Sequence, residues 1–287
     1  MRAAGPGDQA DLRDYLLRHA ERTMFLRSNL GRAPFWIWGE REIRGVAGLS
    51  PEGSPRFLVV HMEEQPDWNA LGRCLAGQEI AGINGPEGQV APLCDGLGLG
   101  GAPVEHDAVD PLFSLDLADL VVPAGPTSLR AVTDADLPLL YEWGVAYMAE
   151  ALGAPPGPDA EERSRGRVLR AMAAGHLRLL CLGAWPVAMT NFNAALPDMV
   201  QVGGVFTPPD LRGRGHARRA VALHLQEARG RGATRAVLFA ANLSATRAYE
   251  AIGFRRIGAY HLLVFGQPLP VVGALPVAGA QPVPGGA

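Results

Sequence analysis

The sequence predicts a mixed α/β protein of two domains followed by a short tail. Its 287 residues exceed a typical single domain, and each half is long enough to bury its own core. The first half reads helix, helix, strands, helix, strand, punctuated by glycine and proline turns. The second half contains an apolar strand that runs into a Pro-Pro corner, a Gly-Arg turn and an Ala/Val/Leu-rich helix, and then a second strand–helix unit.

Residues 8–21 form the first predicted helix, because Leu12, Tyr15, Leu16 and His19 recur on one face. A second short helix covers 24–30. Residues 35–39, 42–48 and 57–61 read as strands, with Gly53 and Pro55 marking a turn between the last two. Residues 66–77 read as a helix and 79–84 as a strand closed by Gly85-Pro86. Residues 95–110 are rich in Gly, Asp and Pro, and 118–128 read as a strand ending in a linker, which puts the domain boundary near 124. Beyond it, 129–132 is a strand, and Thr133 caps a helix with Asp134 and Asp136 in its first turn. Leu137, Leu140, Tyr141, Val145 and Met148 continue that helix. The segment 153–159 interrupts it, and a second helix spans 160–174. Strands follow at 177–182, 186–193 and 199–206. From Pro268 onward the chain carries no charge and much Pro, Gly, Ala and Val, which predicts a disordered tail over 268–287. The predicted domains are therefore 1–123 and 124–267.

Hydrophobic residues make up 48% of the chain and charged residues 19%, as in an ordinary globular protein. A net charge of −3, with no interleaving of basic and aromatic residues, argues against a nucleic-acid or anionic-membrane partner. No apolar run reaches the roughly 18 residues that span a bilayer. The start of the chain carries no signal-peptide pattern, so a cytoplasmic protein is expected. Cys74, Cys94 and Cys181 are odd in number and widely spaced, which predicts buried free thiols with neither a disulfide framework nor a metal site. Serine-hydrolase and zinc-hydrolase motifs are absent from the sequence.

The stretch 201–219 carries the chemistry. Gly213 and Gly215 let a ligand approach the backbone, and the free N–H groups of the helix that follows favour negative charge. Arg212, Arg214, Arg218 and Arg219 cluster in the same turn, so the segment predicts a pyrophosphate cradle. A Walker A loop is excluded because the chain has no lysine. A dinucleotide fingerprint is excluded because Arg218 stands where its third glycine would be.

What matches is Arg-x-x-Gly-x-Ala at Arg212, Gly215 and Ala217. It resembles the acetyl-CoA signature of the GNAT N-acetyltransferase superfamily. A second block, Asn-x-x-Ala-x-x-x-Tyr-x-x-x-Gly-Phe from Asn242 to Phe254, is similar to another part of the same family. The resemblance implies a mixed, mostly antiparallel sheet, splayed at its centre and flanked by helices, over 124–267. It implies acetyl-CoA as cosubstrate, no metal, a primary amine as acceptor, and a monomer or homodimer. Backbone at Val205, Phe206 and Thr207 would hold the pantetheine arm, and backbone from Arg212 through Gly213, Arg214, Gly215 and His216 to Ala217 would hold the pyrophosphate. Asn242 would cap its helix and reach the arm. Tyr249 would protonate the departing thiolate, or else serve as a core aromatic. His216 reads as a solvent-exposed loop residue rather than a catalytic one, and Arg247 as a solvated helix arginine or else a contact to the 3′-phosphate of coenzyme A. For a general base the region offers Asn191, Asn193 and Gln201, which cannot take a proton, and Glu142, with a water chain to bulk as the alternative. Residues 189–193 would line the acceptor side.

The element order of residues 1–123 is itself GNAT-like, but Met62-Glu63-Glu64-Gln65-Pro66 stands where a glycine turn would be, and its carboxylates repel a pyrophosphate. The first half is expected to be either a degenerate GNAT-like domain without cofactor binding or an unrelated α/β domain. The whole is expected to be an N-acetyltransferase, or alternatively an acetyl-CoA-binding sensor without turnover, or an acyltransferase for a longer chain.

Overall fold

The structure, a computed structural model, describes residues 1–52 and 56–273. The turn expected at Gly53 and Pro55, and the tail from residue 274, lie outside the described residues. The first half comprises β1 (Arg2–Ala3), α1 (Gln9–Arg18), α2 (Met24–Asn29), β2 (Phe35–Trp38), β3 (Gly45–Leu49), β4 (Phe57–Met62), α3 (Trp68–Leu75), β5 (Glu79–Pro86), α4 (Val90–Gly96) and β6 (Val104–Asp116). The second comprises β7 (Thr127–Ala131), α5 (Leu137–Leu152), α6 (Pro158–Ala173), β8 (Leu177–Leu182), β9 (Trp185–Ala195), β10 (Met199–Phe206), α7 (His216–Gly230), β11 (Arg235–Phe239), α8 (Leu243–Glu250) and β12 (Arg255–Pro270).

All the strands join one twelve-stranded sheet in the order β1-β2-β3-β4-β5-β12-β6-β11-β10-β9-β8-β7. Among the described residues, only the β4·β5 and β10·β11 pairings are parallel. The halves are stitched by exchange. The last strand of the second half, β12, lies against β5, and the last strand of the first half, β6, lies against β11. β6 and β12 pair with each other at the centre, from Arg255↔Ser114 to Phe265↔Val104.

This exchange corrects three sequence expectations. Residues 104–110 belong to a thirteen-residue strand rather than a loop. Pro111 sits inside it, and its carbonyl still accepts a bond from the Ala240 N–H at 3.2 Å. The strand expected around 118–122 does not form; a 3-10 turn at Leu117–Asp119 leads into the linker. The predicted tail also starts too early: Leu269 and Pro270 pair with Ile80 and Glu79, and Val271 is buried with its N–H on Gln78 and its carbonyl on Gly77. A partner strand satisfies these backbones and overrides the weak local preference of a proline-rich sequence.

Helices cover both faces. α7 and α8 close one face of the second half around Val200, Val202, Val221, Leu225, Leu238 and Tyr249. On the opposite face, α5 and α6 pack through Leu140, Trp143 and Val168 onto Leu177, Leu179, Met189 and Phe206. α2 of the first half reaches across to that same face, where Met24 and Phe25 meet Met199, Val237, Phe239 and Tyr260. Arg27 anchors it with a bidentate bond to Asp198, both distances 2.8 Å. Thr133 caps a 3-10 turn at Asp134–Asp136 that leads into α5, so the α-helix starts one turn later than the sequence predicts. Asp136 accepts from the Thr133 N–H at 2.8 Å and from Arg130 at 2.7 Å, which holds its carboxyl well below the usual carboxylate range. α8 ends at Gly253 for two reasons. Its φ is +107°, and a Cβ there would lie 2.9 Å from both the Asp119 carbonyl and Leu115 Cδ1. Cys94 and Cys181 are buried free thiols as expected, whereas Cys74, on the outer side of α3, is exposed.

Candidate functional site

The centre of the second half is an opening between two strands. β10 and β11 run parallel from Met199↔Arg235 to Val202↔Leu238, and their pairing ends there. β10 continues to Phe206 against β9 alone, through irregular registers at Gln201/Val202 and between Gly203 and Phe206. Gly204 supplies the kink with φ +57°. Val205 and Phe206 therefore border the gap with no strand on the β11 side. The Phe206 ring is fixed against Trp143 of α5 at 5.9 Å, and Thr207 is buried with its hydroxyl unpartnered.

The glycine turn stands at the mouth of this gap. Gly213 and Gly215 have φ of +76° and +79°, which side-chain-bearing residues rarely adopt. A Cβ on Gly213 would meet nothing within 4 Å, so the turn is open on that side. Gly215 caps α7 without a side-chain bond, and the first intrahelical bond is Arg219 N–H to the Gly215 carbonyl at 3.0 Å. The N–H groups of His216, Ala217 and Arg218 precede that bond and remain free donors at the positive end of the helix.

The four arginines separate in space. Arg214 donates to the Asp210 carbonyl at 3.2 Å and is exposed. Arg218 stays beside the turn, its Nε buried and unpartnered. Arg212 is engaged elsewhere: Nε donates to the Thr207 carbonyl at 2.9 Å, and Nη2 to both carboxylate oxygens of Glu150 at 2.8 and 2.7 Å. It ties the turn to the strand end and to α5. Arg219 points away to the linker, donating to Thr127 Oγ1 and to the carbonyls of Pro123, Gly125 and Thr127. The expectation that all four surround one spot is therefore corrected. Arg212 and Arg219 brace the turn, because each finds a carboxylate or carbonyl partner that only the tertiary structure brings near. His216 is corrected too: it is the first residue of α7, half-buried, and burial and Arg214 lower its pKa.

Asn242 caps α8, its side chain accepting from the Ala245 N–H at 2.9 Å. Tyr249 lies on the buried face of that helix, edge-on to Phe254 at 6.1 Å. Burial and the neighbouring Tyr147 of α5 raise its pKa, so it keeps its proton at neutral pH. Tyr147 is not legible as a neighbour from the chain alone, since it sits 102 positions away on another helix. Arg247 is exposed, as expected.

The acceptor-side expectations divide. Asn191 lies opposite Gly203 beside the gap, its Oδ1 buried and unpartnered, and Gln201 has a buried, unpartnered Oε1. Asn193 approaches Asn191 at 3.4 Å. Thr190 is corrected: it pairs with Arg178, whose side chain reaches Glu227 of α7, and so faces α7 and not the acceptor side. Glu142 is exposed in a shallow groove with Glu161 and Arg165 between α5 and α6. Among the described residues, no group of three or more His, Cys, Asp or Glu could hold a metal ion, and no helix is long and apolar enough to cross a membrane.

With this geometry in place, comparison with known proteins is direct. Residues 140–254 match the family model of the acetyltransferase (GNAT) family. Among solved structures, a GCN5-related N-acetyltransferase from Kribbella flavida is 19% identical, covering 85% of this chain and 94% of its own, with a TM-score of 0.57. A GCN5-related N-acetyltransferase from Sphaerobacter thermophilus is 16% identical over 94% of this chain and 95% of its own, with a TM-score of 0.54. A Drosophila protein is 14% identical over 92% and 97%, with a TM-score of 0.60. At these identities the likeness is one of fold, and it extends over both halves of the chain. No curated protein matches the sequence.

Proposed function

We propose that the chain is an acetyl-CoA-dependent N-acetyltransferase acting on a primary amine, with its site in the second half (124–267). The parted end of β10 and β11 carries this reading, because it lines up with the free amides at the start of α7. Val205, Phe206 and Thr207 hold an extended arm as an added strand would be held. Backbone from Arg212 to Ala217, including Gly213, Arg214, Gly215 and His216, holds the pyrophosphate. The open turn, the buried Arg218 Nε and the buried Thr207 hydroxyl all fit such a ligand. Asn242 shapes the start of α8 beside the arm. Tyr249, protonated and at the gap, gives its proton to the leaving sulfur as the C–S bond breaks and the amine nitrogen forms the new C–N bond.

The first half (1–123) is a silent repeat of the same design. β4 and β5 also part, after Val59↔Asn84. There the gap is filled: the Gln89 side chain accepts from the Met62 N–H at 3.0 Å and donates to the Met62 carbonyl at 2.8 Å, as a neighbouring strand would. At the start of the following helix, α3, Asp67 accepts from the Ala70 N–H and sets a negative charge where an anion would have to lie. This half contributes α2, β6 and the seam, not a second cofactor.

Thiol release from acetyl-CoA in the presence of a panel of primary amines tests the reading. Amine-dependent release is expected, and binding without release would leave an acetyl-CoA sensor. In the same assay Tyr249→Phe is expected to fold and to lose about 10²-fold in turnover, the scale of a lost general acid. Unchanged turnover would reduce Tyr249 to packing.

A further inference from the structure

We propose that Asp110, supplied by the exchanged strand of the first half, is the catalytic residue that accepts the proton of the acceptor amine. This rests on the acetyl-transfer reading above and adds the base that the second half by itself lacks. The placement follows from the ladders. β6 runs beside β11 as far as Leu112↔Phe239, and the Ala240 N–H then bonds to Pro111. Asp110 therefore stands just beyond the end of β11, at the level where β10 has already left it.

The face follows from alternation along β6. Phe113 and Leu115 pack under α7 and α8 with Tyr249, whereas Leu112 packs on the opposite face with Met24 and Tyr260. Asp110 shares the face of Leu112. In this assignment the acceptor approaches from the side of Asp110. Acid and base then stand on opposite faces of the sheet, with the reacting carbonyl between them.

The surroundings leave the carboxylate available. Among the described residues it has no hydrogen-bond or ion-pair partner. Arg22 donates to the Ile257 carbonyl, and Arg163 of α6 pairs with Glu105 farther along β6. On β12, Tyr260 is paired directly across from Asp110, so their Cβ atoms are about 5 Å apart. Its hydroxyl is buried and unpartnered, as is Asn84 Oδ1 on β5. His106, two positions along the same face of β6, is the neighbouring titratable group. Burial raises the pKa of Asp110, which makes it a better proton acceptor than an exposed aspartate. An amine that arrives as ammonium is held by the carboxylate, gives up one proton to it, and attacks the thioester carbonyl. The C–N bond forms, the C–S bond breaks as Tyr249 protonates the sulfur, the second proton of the nitrogen passes to the Tyr249 oxygen, and Asp110 releases its proton to solvent. The class of acceptor is thus a primary amine that is cationic in solution.

The test compares the full chain with Asp110→Asn and Asp110→Glu, using acetyl-CoA and a panel of primary amines that includes 2-phenylethylamine. Asp110→Asn is expected to lower kcat by about 10²-fold, to leave the calorimetric Kd for acetyl-CoA unchanged, and to lose the acidic limb of the pH–rate profile. Asp110→Glu is expected to restore part of the rate and that limb. Wild-type turnover and pH profile in Asp110→Asn would overturn the assignment while leaving acetyl transfer intact. A wild-type chain that binds acetyl-CoA but releases thiol with no amine would overturn acetyl transfer itself, and the base with it.

Discussion

Gly215→Val is expected to weaken acetyl-CoA binding by about 10²-fold or more, or ~2.7 kcal/mol. The residue holds φ +79°, and a β-branched side chain in that region is a strained outlier. Relieving the strain turns the first amides of α7 away from the cradle, and the positive end of the helix goes with them. Arg214→Ala is the matched comparison. Its side chain is exposed and reaches only the Asp210 carbonyl, so it should change affinity far less. Calorimetry on the two variants, with a thermal melt to confirm folding, separates a backbone cradle from a cluster of arginine charges. Wild-type affinity in Gly215→Val, or a larger loss in Arg214→Ala, would contradict the backbone account.

Acid should destabilise the fold well before its carboxylates protonate. His61, at the end of β4, is buried at 4% exposure, with Nδ1 2.8 Å from the Tyr15 hydroxyl. Burial first, then the charges of His19 and Arg22, push its pKa down to about 4. An unfolded histidine titrates near 6.5. Above that pH both states are neutral and the full stability is present. As pH falls from about 6.5 to about 4, the unfolded chain takes up a proton that the folded chain refuses, at a cost of about 3 kcal/mol. That is a large share of the roughly 5–15 kcal/mol that holds a domain folded. His224 acts in the same direction. It is fully buried, stacked on Phe192 at 3.7 Å with both ring nitrogens unpartnered, and its pKa is depressed by burial. Asp8 and Asp136, whose pKa values lie below the ordinary carboxylate range, lose their contributions only at still lower pH. Urea midpoints measured from pH 7 to pH 4 should fall steadily, and more gently in His61→Gln. A flat profile over this window would show that the folded state accepts the proton.

The parts of the site that were legible in the sequence are those fixed by local backbone chemistry. Gly213 and Gly215 are glycines because the turn needs positive φ, Asn242 because α8 needs a cap, and Gly253 because α8 must stop against Asp119. Their conformations depend on near neighbours in the chain. What the sequence hid depends on partners far away. β6 reads weakly as a strand because Asp107, Asp110 and Pro111 interrupt its first part, and only the flanking strands β11 and β12 make it one. The directions of Arg212 and Arg219 were set by Glu150 and by the linker carbonyls. Asp110 carried no motif. It became a candidate only when the exchange placed it at the end of β11. The glutamine that fills the first half's gap, Gln89, was equally silent, since its partner Met62 is 27 residues earlier.

Calorimetric titration of the full chain with coenzyme A or acetyl-CoA tests the central claim most directly. One ligand per chain is expected, with the heat abolished or strongly reduced by Gly215→Val. Two ligands per chain would contradict the closed first half, and no binding at all would contradict the site in the second.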